Sequence, residues 1–400
     1  MQVARIIAEY NPLHTGHTGL MARVRETLGP GTAVVCAMSG QFVQRGGAAI
    51  LRKHVRAEAA VRDGADLVLE LPLPWAVSSA ERFAAGGVEV LAATGAVTHL
   101  AFGSECGDAA ALTEIAHCLT TEEYHAGVRR FLNEGMSFAA CRQSVVRELL
   151  GPEKAALLET PNNNLGVEYC KALLLRNSAI RPLAFLREGG AHDSADAVPG
   201  SAGAIRRLLR QGRHEDALSL MAPSMAPLYR SEEDAGRAPV LLETCQRAIL
   251  SRLRSMSEAD FAALDQGREG LYRRLYAASR SAATLDALLE DAKAKRYAHA
   301  RLRRMVLWAY LGLTPEDFPE TVPYLRVLAA NETGRALLAR MRKTAAVPVL
   351  TKPADVRQLS PAAQALFALE VRATDLYALA YPDLSAAAGG SEWRTGPVMI

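Results

Sequence analysis

From residue 1 to about residue 105, short apolar runs alternate with segments whose apolar residues recur every three or four positions. Each junction carries Gly, Pro or Asn. The runs Val3–Ala8, Ala33–Ala37, Leu67–Leu71 and His99–Phe102 read as strands. His17–Leu28, Lys53–Arg62 and Ser79–Ala93 read as helices between them. Strands this short and this uniformly apolar need both faces of their sheet covered, which the intervening helices supply. The expected fold is a doubly wound, Rossmann-like parallel α/β sheet with its ligand site at the carboxyl ends of the strands.

Helical segments continue to about residue 150. A polar loop, Pro161-Asn162-Asn163-Asn164, is expected before a helix Leu165–Leu175. Ile180–Leu186 then adds a strand to the same sheet, ending at Arg187, and Ser201–Leu209 forms a short helix. From about residue 215 the pattern turns to long Ala, Leu and Arg helices, Val240–Met256, Gly270–Ala283 and Ala294–Leu311. A small α/β element, with strands Tyr324–Ala329 and Val347–Leu350 and helix Pro361–Leu379, would close the chain. At about 150 residues per domain, 400 residues fit an α/β domain over 1–213 and a mainly α-helical C-terminal domain over 214–400.

With 50% hydrophobic and 22% charged residues, the chain has the balance of a folded globular protein. No apolar run approaches the roughly 20 residues that cross a bilayer, and Val3–Ala8 is interrupted by Arg5 and stopped by Glu9. A cytoplasmic location without membrane contact is expected. The six cysteines are scattered, with no Cys-x-x-Cys pair and no Cys/His spacing of a zinc site, so they read as reduced thiols and no metal ligands are assigned. A net charge of +3, from 46 basic and 43 acidic residues, requires any nucleic-acid surface to be a local patch.

The first strand runs into Glu9-Tyr10-Asn11-Pro12-Leu13-His14-Thr15-Gly16-His17, and the next helix is expected to start at His17. Two imidazoles and free backbone N–H groups would then gather at a helix N-terminus on the carboxyl edge of the first strand. Such a place suits a polyphosphate. The helix dipole attracts anionic oxygens, Gly16 permits close approach, and the imidazoles can donate to charge developing on an α-phosphate during adenylyl transfer.

His-x-Gly-His at this position resembles the nucleotidyltransferases that carry that motif. A longer series is more specific: Ile7-Ala8-Glu9-Tyr10-Asn11-Pro12, Met38 to Gly46, Gly64 to Pro72, Phe102-Gly103-Ser104-Glu105, Pro161-Asn162-Asn163 and Leu165 to Tyr169 occur in order. Together they resemble the tRNA(Met) cytidine acetate ligase family, strongly over residues 1–210 and more loosely beyond. The resemblance implies an enzyme that activates acetate with ATP as acetyl-adenylate and acetylates N4 of the wobble cytidine of elongator methionine tRNA. It implies His14 and His17 as catalytic residues. The implied ATP site comprises Ile7, Ala8, Glu9, Tyr10, Asn11, Pro12, Leu13, His14, Thr15, Gly16, His17, Thr18, Gly19 and Leu20, with Gly103, Asn162 and Arg187, and Mg²⁺ neutralises the leaving pyrophosphate. The sequence departs from the family pattern at Leu13, Gln41 and the turn Pro199 to Arg206, where Ser201 and Arg206 remain but one hydroxyl is missing.

Gln44, Arg45 and Lys53, after the second strand, would reach pyrophosphate, acetate or RNA. In Lys293–Arg304 six Lys and Arg residues and His299 crowd together, with Arg296, His299 and Arg303 on one helical face and Leu302, Met305, Val306 and Ala309 opposite. This is either an RNA-tracking surface or a solvated face. Tyr272, Arg273, Arg274 and Tyr276 form a similar cluster. The histidine motif alone is equally compatible with an adenylyltransferase acting on a phosphate-bearing metabolite; a non-enzymatic nucleotide sensor is a third reading. The series of matched motifs favours the ligase.

Overall fold

The structure is a computed structural model, and it describes residues 2–95, 98–187, 200–264, 267, 270–294 and 297–400. The sheet strands are β1 (Val3–Ala8), β2 (Ala33–Ser39), β3 (Leu67–Leu71), β4 (His99–Ser104), β5 (Arg181–Leu186), β6 (Leu325–Ala330), β7 (Val349–Leu350) and β8 (Val398–Met399). They lie side by side in the order β8-β6-β3-β2-β1-β4-β5, with β7 beside β6. Neighbours are parallel except β3 and β6. Every residue of β2, β3 and β6 is buried, which is why the sequence shows them as mainly apolar runs, broken only by Ser39, Glu70 and Arg326.

Successive side chains of each strand enter two cores. Ile7, Val35, Leu69 and Phe102 fill one face, and Ile6, Cys36, Met38 and Val68 the other. The helix Ala80–Ala93 lies close over the first face, because a Cβ at Gly87 would come within 2.5 Å of Ile7 Cδ1 and one at Gly86 within 2.3 Å of Trp75 Cγ. The chain moves outward from β1 to β2 to β3 and then returns to the other side of β1 with β4. That reversal opens a crevice between the carboxyl ends of β1 and β4, the place where doubly wound sheets hold ligands.

The expected fold class is present, and three local expectations are corrected. The strands placed in a separate closing element belong to the main sheet: Leu325–Ala330 is buried on both faces and pairs antiparallel with β3. A polar seam fixes it there, since Asp66 accepts from Val34 N at 2.7 Å, Arg25 Nη2 at 2.8 Å and Asn331 Nδ2 at 2.9 Å. The helix expected over Val240–Met256 forms only over Gln246–Ser255, because turns at Leu241–Cys245 precede it and Val240 N donates instead to Ile50 O. The basic helix spans His299–Leu311, and Arg296 lies outside the described residues. No helix among the described residues is long and apolar enough to cross a membrane, and all six cysteines are free thiols.

Candidate active site

β1 ends at Ala8, and the turn that follows is held from three sides. Tyr10 adopts φ 45°, a left-handed conformation rare for a bulky residue, while its buried ring places its hydroxyl 3.2 Å from Cys36 Sγ. The fully buried Arg56 donates to Leu51 O at 2.9 Å, to Ser39 O at 3.1 Å and to the carbonyls of Glu9 and Gly40, so one guanidinium joins the carboxyl ends of β1 and β2. Asn11 Oδ1 accepts from Ile50 N at 2.9 Å, and Arg206 Nη1 donates to Asn11 O at 2.6 Å.

The helix starts at Thr15, two residues earlier than expected, because His14 is its N-cap. His14 Nδ1 accepts the Gly16 N–H at 3.1 Å, and His17 Nδ1 accepts the His14 N–H at 3.3 Å. The two rings form a capping box, with centroids 3.8 Å apart. This corrects the expectation of several free amides: Gly16 N–H is taken by an imidazole, and the His17 and Thr18 N–H groups point at His14 O. It also fixes the tautomers. A neutral ring that accepts at Nδ1 carries its proton on Nε2, so both histidines present an N–H donor to whatever lies beyond them. Burial pushes the His14 imidazole down to about 4, reinforced by the charges of Arg187 and Arg206. Burial, His14 and Arg187 push His17 well below the ordinary value as well.

Arg187 follows β5, donating its N–H to Ser104 O at 3.0 Å. A Cβ at Gly103 would stand 3.1 Å from Arg187 Cγ, so the two expected nucleotide-site positions adjoin, and both histidines feel Arg187. Asn162 is corrected from loop to helix: the helix runs Pro161–Leu175. Proline suits its first position, and Glu105 caps it by accepting from Asn162 N at 3.2 Å, Asn162 Nδ2 at 2.6 Å and Asn163 N at 2.7 Å. Glu105 and Arg206 were not assigned from sequence, although each stands in a motif that was singled out.

Within the segment Ile7 to Leu20, the side chains of Ile7, Tyr10 and Leu13 are core, leaving only their backbone for a ligand. Ser201 caps the helix Ala202–Arg210 with its hydroxyl accepting from Ala204 N at 3.2 Å. Lys53 is not a phosphate ligand. It is fully buried, 2.7 Å from Glu70 and 2.8 Å from Glu392. Arg304, in the basic helix, is buried and donates to Gln44 O at 3.3 Å, whereas Arg303 is exposed. Arg274 donates to the carbonyls of Asp291, Ala292 and Lys293, capping a helix end.

The HIGH Nucleotidyl Transferase family model matches residues 1–392. A tRNA(Met) cytidine acetate ligase of Syntrophomonas wolfei is 34% identical over 414 residues, covering all of this chain and 99% of that one. The chain belongs to the tRNA(Met) cytidine acetate ligase family. A family member from Acetivibrio thermocellus is 33% identical across the full length of both chains. The apo crystal structure of Thermotoga maritima TmcAL superposes with a TM-score of 0.95 at 32% identity, covering the whole of both chains. The same protein bound with alpha-thio ATP gives 0.92 at 32% identity, covering all of this chain and 99% of that one. The ligase family's architecture therefore extends through the C-terminal helices as well as the sheet.

Proposed function

We propose that this chain activates acetate with ATP as acetyl-adenylate and transfers the acetyl group to N4 of the wobble cytidine of elongator methionine tRNA. The reading rests on one observation above others: two imidazoles whose Nδ1 atoms are taken up by capping, which leaves Nε2 to carry the proton, stand at a helix start in a chain matched end to end by ligases of that name. In the first step an acetate oxygen bonds to the α-phosphorus and the bond to pyrophosphate breaks. His14 and His17 donate to the α-phosphate oxygens as charge builds there, and Arg187 and Arg206 add positive potential. Neutral donors suit this task because they need no proton exchange during the step.

Gly103 would leave bare backbone for the adenosine, and Asn162, oriented by Glu105, would bond its polar edge. Mg²⁺ would arrive on the triphosphate, held mainly by phosphate oxygens and neutralising pyrophosphate. In the second step the cytidine amine forms a C–N bond to the acetyl carbon, the C–O bond to AMP breaks, and the amine releases a proton. A delocalised exocyclic amine attacks poorly, so the mixed anhydride must be kept from water. In the same reading residues 214–400 form the RNA-facing part, although their last strands complete the sheet. The enzyme would act in the cytoplasm, where its tRNA resides.

The test is mass spectrometry of nucleosides from bulk bacterial tRNA incubated with purified protein, ATP and isotope-labelled acetate. Labelled N4-acetylcytidine that disappears without ATP is expected. Pyrophosphate release without labelled cytidine would overturn the acceptor assignment and point to a metabolite, and neither product would overturn the ligase reading.

A further inference from the structure

A cavity of about 180 Å³ lies between the carboxyl end of β1 and the C-terminal helices. One wall is Glu9, Asn11 and Arg206. This wall belongs also to the histidine site, since Arg206 bonds Asn11 O and its charge acts on His14. The Glu9 carboxylate is already oriented there, because Oε1 accepts the Gln44 N–H at 2.8 Å. Leu242, Leu289 and Val306, from three separate segments, add apolar lining, and Glu243 lines the cavity beside them. Arg45, Arg210 and Arg303, with Asp286, also line the cavity and are exposed, so they mark its mouth.

The mouth is built, not incidental. A Cβ at Gly46, where φ is 76°, would sit 2.5 Å from the Arg303 backbone, so the turn bearing Arg45 is seated directly on the helix bearing Arg303. The larger depression elsewhere, about 320 Å³ beside Cys170, Asn177 and Pro182, has no charged lining and shares no residue with the histidine site.

We infer that this cavity is the acceptor pocket, which takes the target pyrimidine of the RNA splayed out from its strand and turns its exocyclic amine toward Glu9 and the adenylate. The inference rests on the proposed function. At about 180 Å³ it is large enough for one pyrimidine base. Apolar walls favour the ring faces, and a carboxylate is the group that accepts from a cytosine amine. Arginines at the mouth meet the flanking phosphates, which cannot follow the base inward.

Filling the cavity tests this with Leu242→Trp and Leu289→Phe, each assayed for acetate-dependent ATP–pyrophosphate exchange and for acetylation of a tRNA transcript. The expected result is exchange within about twofold of wild type and transfer to tRNA reduced about tenfold or more. Undiminished transfer would overturn the inference, as would parallel loss of exchange in folded variants, which would assign the cavity to acetate. A second measurement uses the unaltered protein: a tRNA carrying 4-thiouridine at the target position is photo-crosslinked to it. Adducts within 240–243, 285–289 or at Val306 are expected, and adducts confined to other segments would overturn it. If the unaltered protein acetylates no tRNA, the proposed function itself fails, which is read before any variant is compared, and the inference falls with it.

Discussion

The imidazole of His14 lies over Gly16, accepting its N–H at 3.1 Å, and a Cβ at residue 16 would stand 3.0 Å from the ring's Cε1. The missing side chain is what lets the ring cap its own helix. Gly16→Ala should therefore push the ring outward while gaining up to about 1 kcal/mol of helix preference. The expected outcome is an unchanged or raised melting temperature with acetate-dependent exchange reduced about tenfold or more; unchanged exchange would refute this account of the glycine.

The depressed imidazoles set a pH dependence of stability. An unfolded histidine titrates near pH 6.5, whereas burial and neighbouring charges hold His14 near 4, and burial with Lys53 holds His54 near 3. Between those values the unfolded chain binds more protons than the folded one, so these groups make stability fall as pH drops from about 6.5 toward 4. Urea midpoints measured across that window should slope less steeply in His14→Gln than in wild type. Equal slopes would show that the ring is not held neutral.

Glu105 acts through Asn162. Its carboxylate fixes both the Asn162 amide and the first turn of the helix Pro161–Leu175. Glu105→Ala should cost about 1 kcal/mol, the usual worth of a cap, and should raise the KM for ATP several-fold with little change in kcat. A kcat loss at constant KM would contradict a positioning role.

Lys53 sits among Glu70, Glu392 and Arg326 with no exposure. Against the cost of burial, Lys53 and Arg326 hold Glu392 down at about 2, while burial and Glu70 push Glu370 well up. Lys53→Met removes one cation from this cluster and should destabilise the fold by about 3–5 kcal/mol. Chemical denaturation would show a lowered midpoint; a midpoint equal to wild type would mean that the cluster does not hold the C-terminal segments to the sheet.

Much of the fold was legible because strands covered on both faces leave mainly apolar runs, as in Ala33–Ser39 and Leu67–Leu71. The turn after β1, with its two histidines, could likewise be placed from spacing alone. What sequence spacing does not carry is partners far away in the chain. The start of the helix at Pro161 depends on a carboxylate 57 positions before Asn162, and the burial of Lys53 depends on Glu392, 339 positions later. Leu325–Ala330 reads as a strand, but nothing local tells it to pair with β3. At the site, the histidines were visible as a motif, whereas their use of Nδ1 as caps, which decides their protonation, appears only in three dimensions.

The central claim is that His17 works as a neutral Nε2–H donor whose Nδ1 is spent on the His14 N–H. Asparagine can keep an acceptor near Nδ1 but cannot reach with a donor at Nε2, so His17→Asn separates the two roles. The decisive measurement is acetate-dependent ATP–pyrophosphate exchange by His17→Asn beside its melting temperature. The account predicts a loss of about 10²–10³ in exchange rate, the usual worth of one transition-state donor, with melting close to wild type. Exchange at the wild-type rate in the folded variant would contradict it.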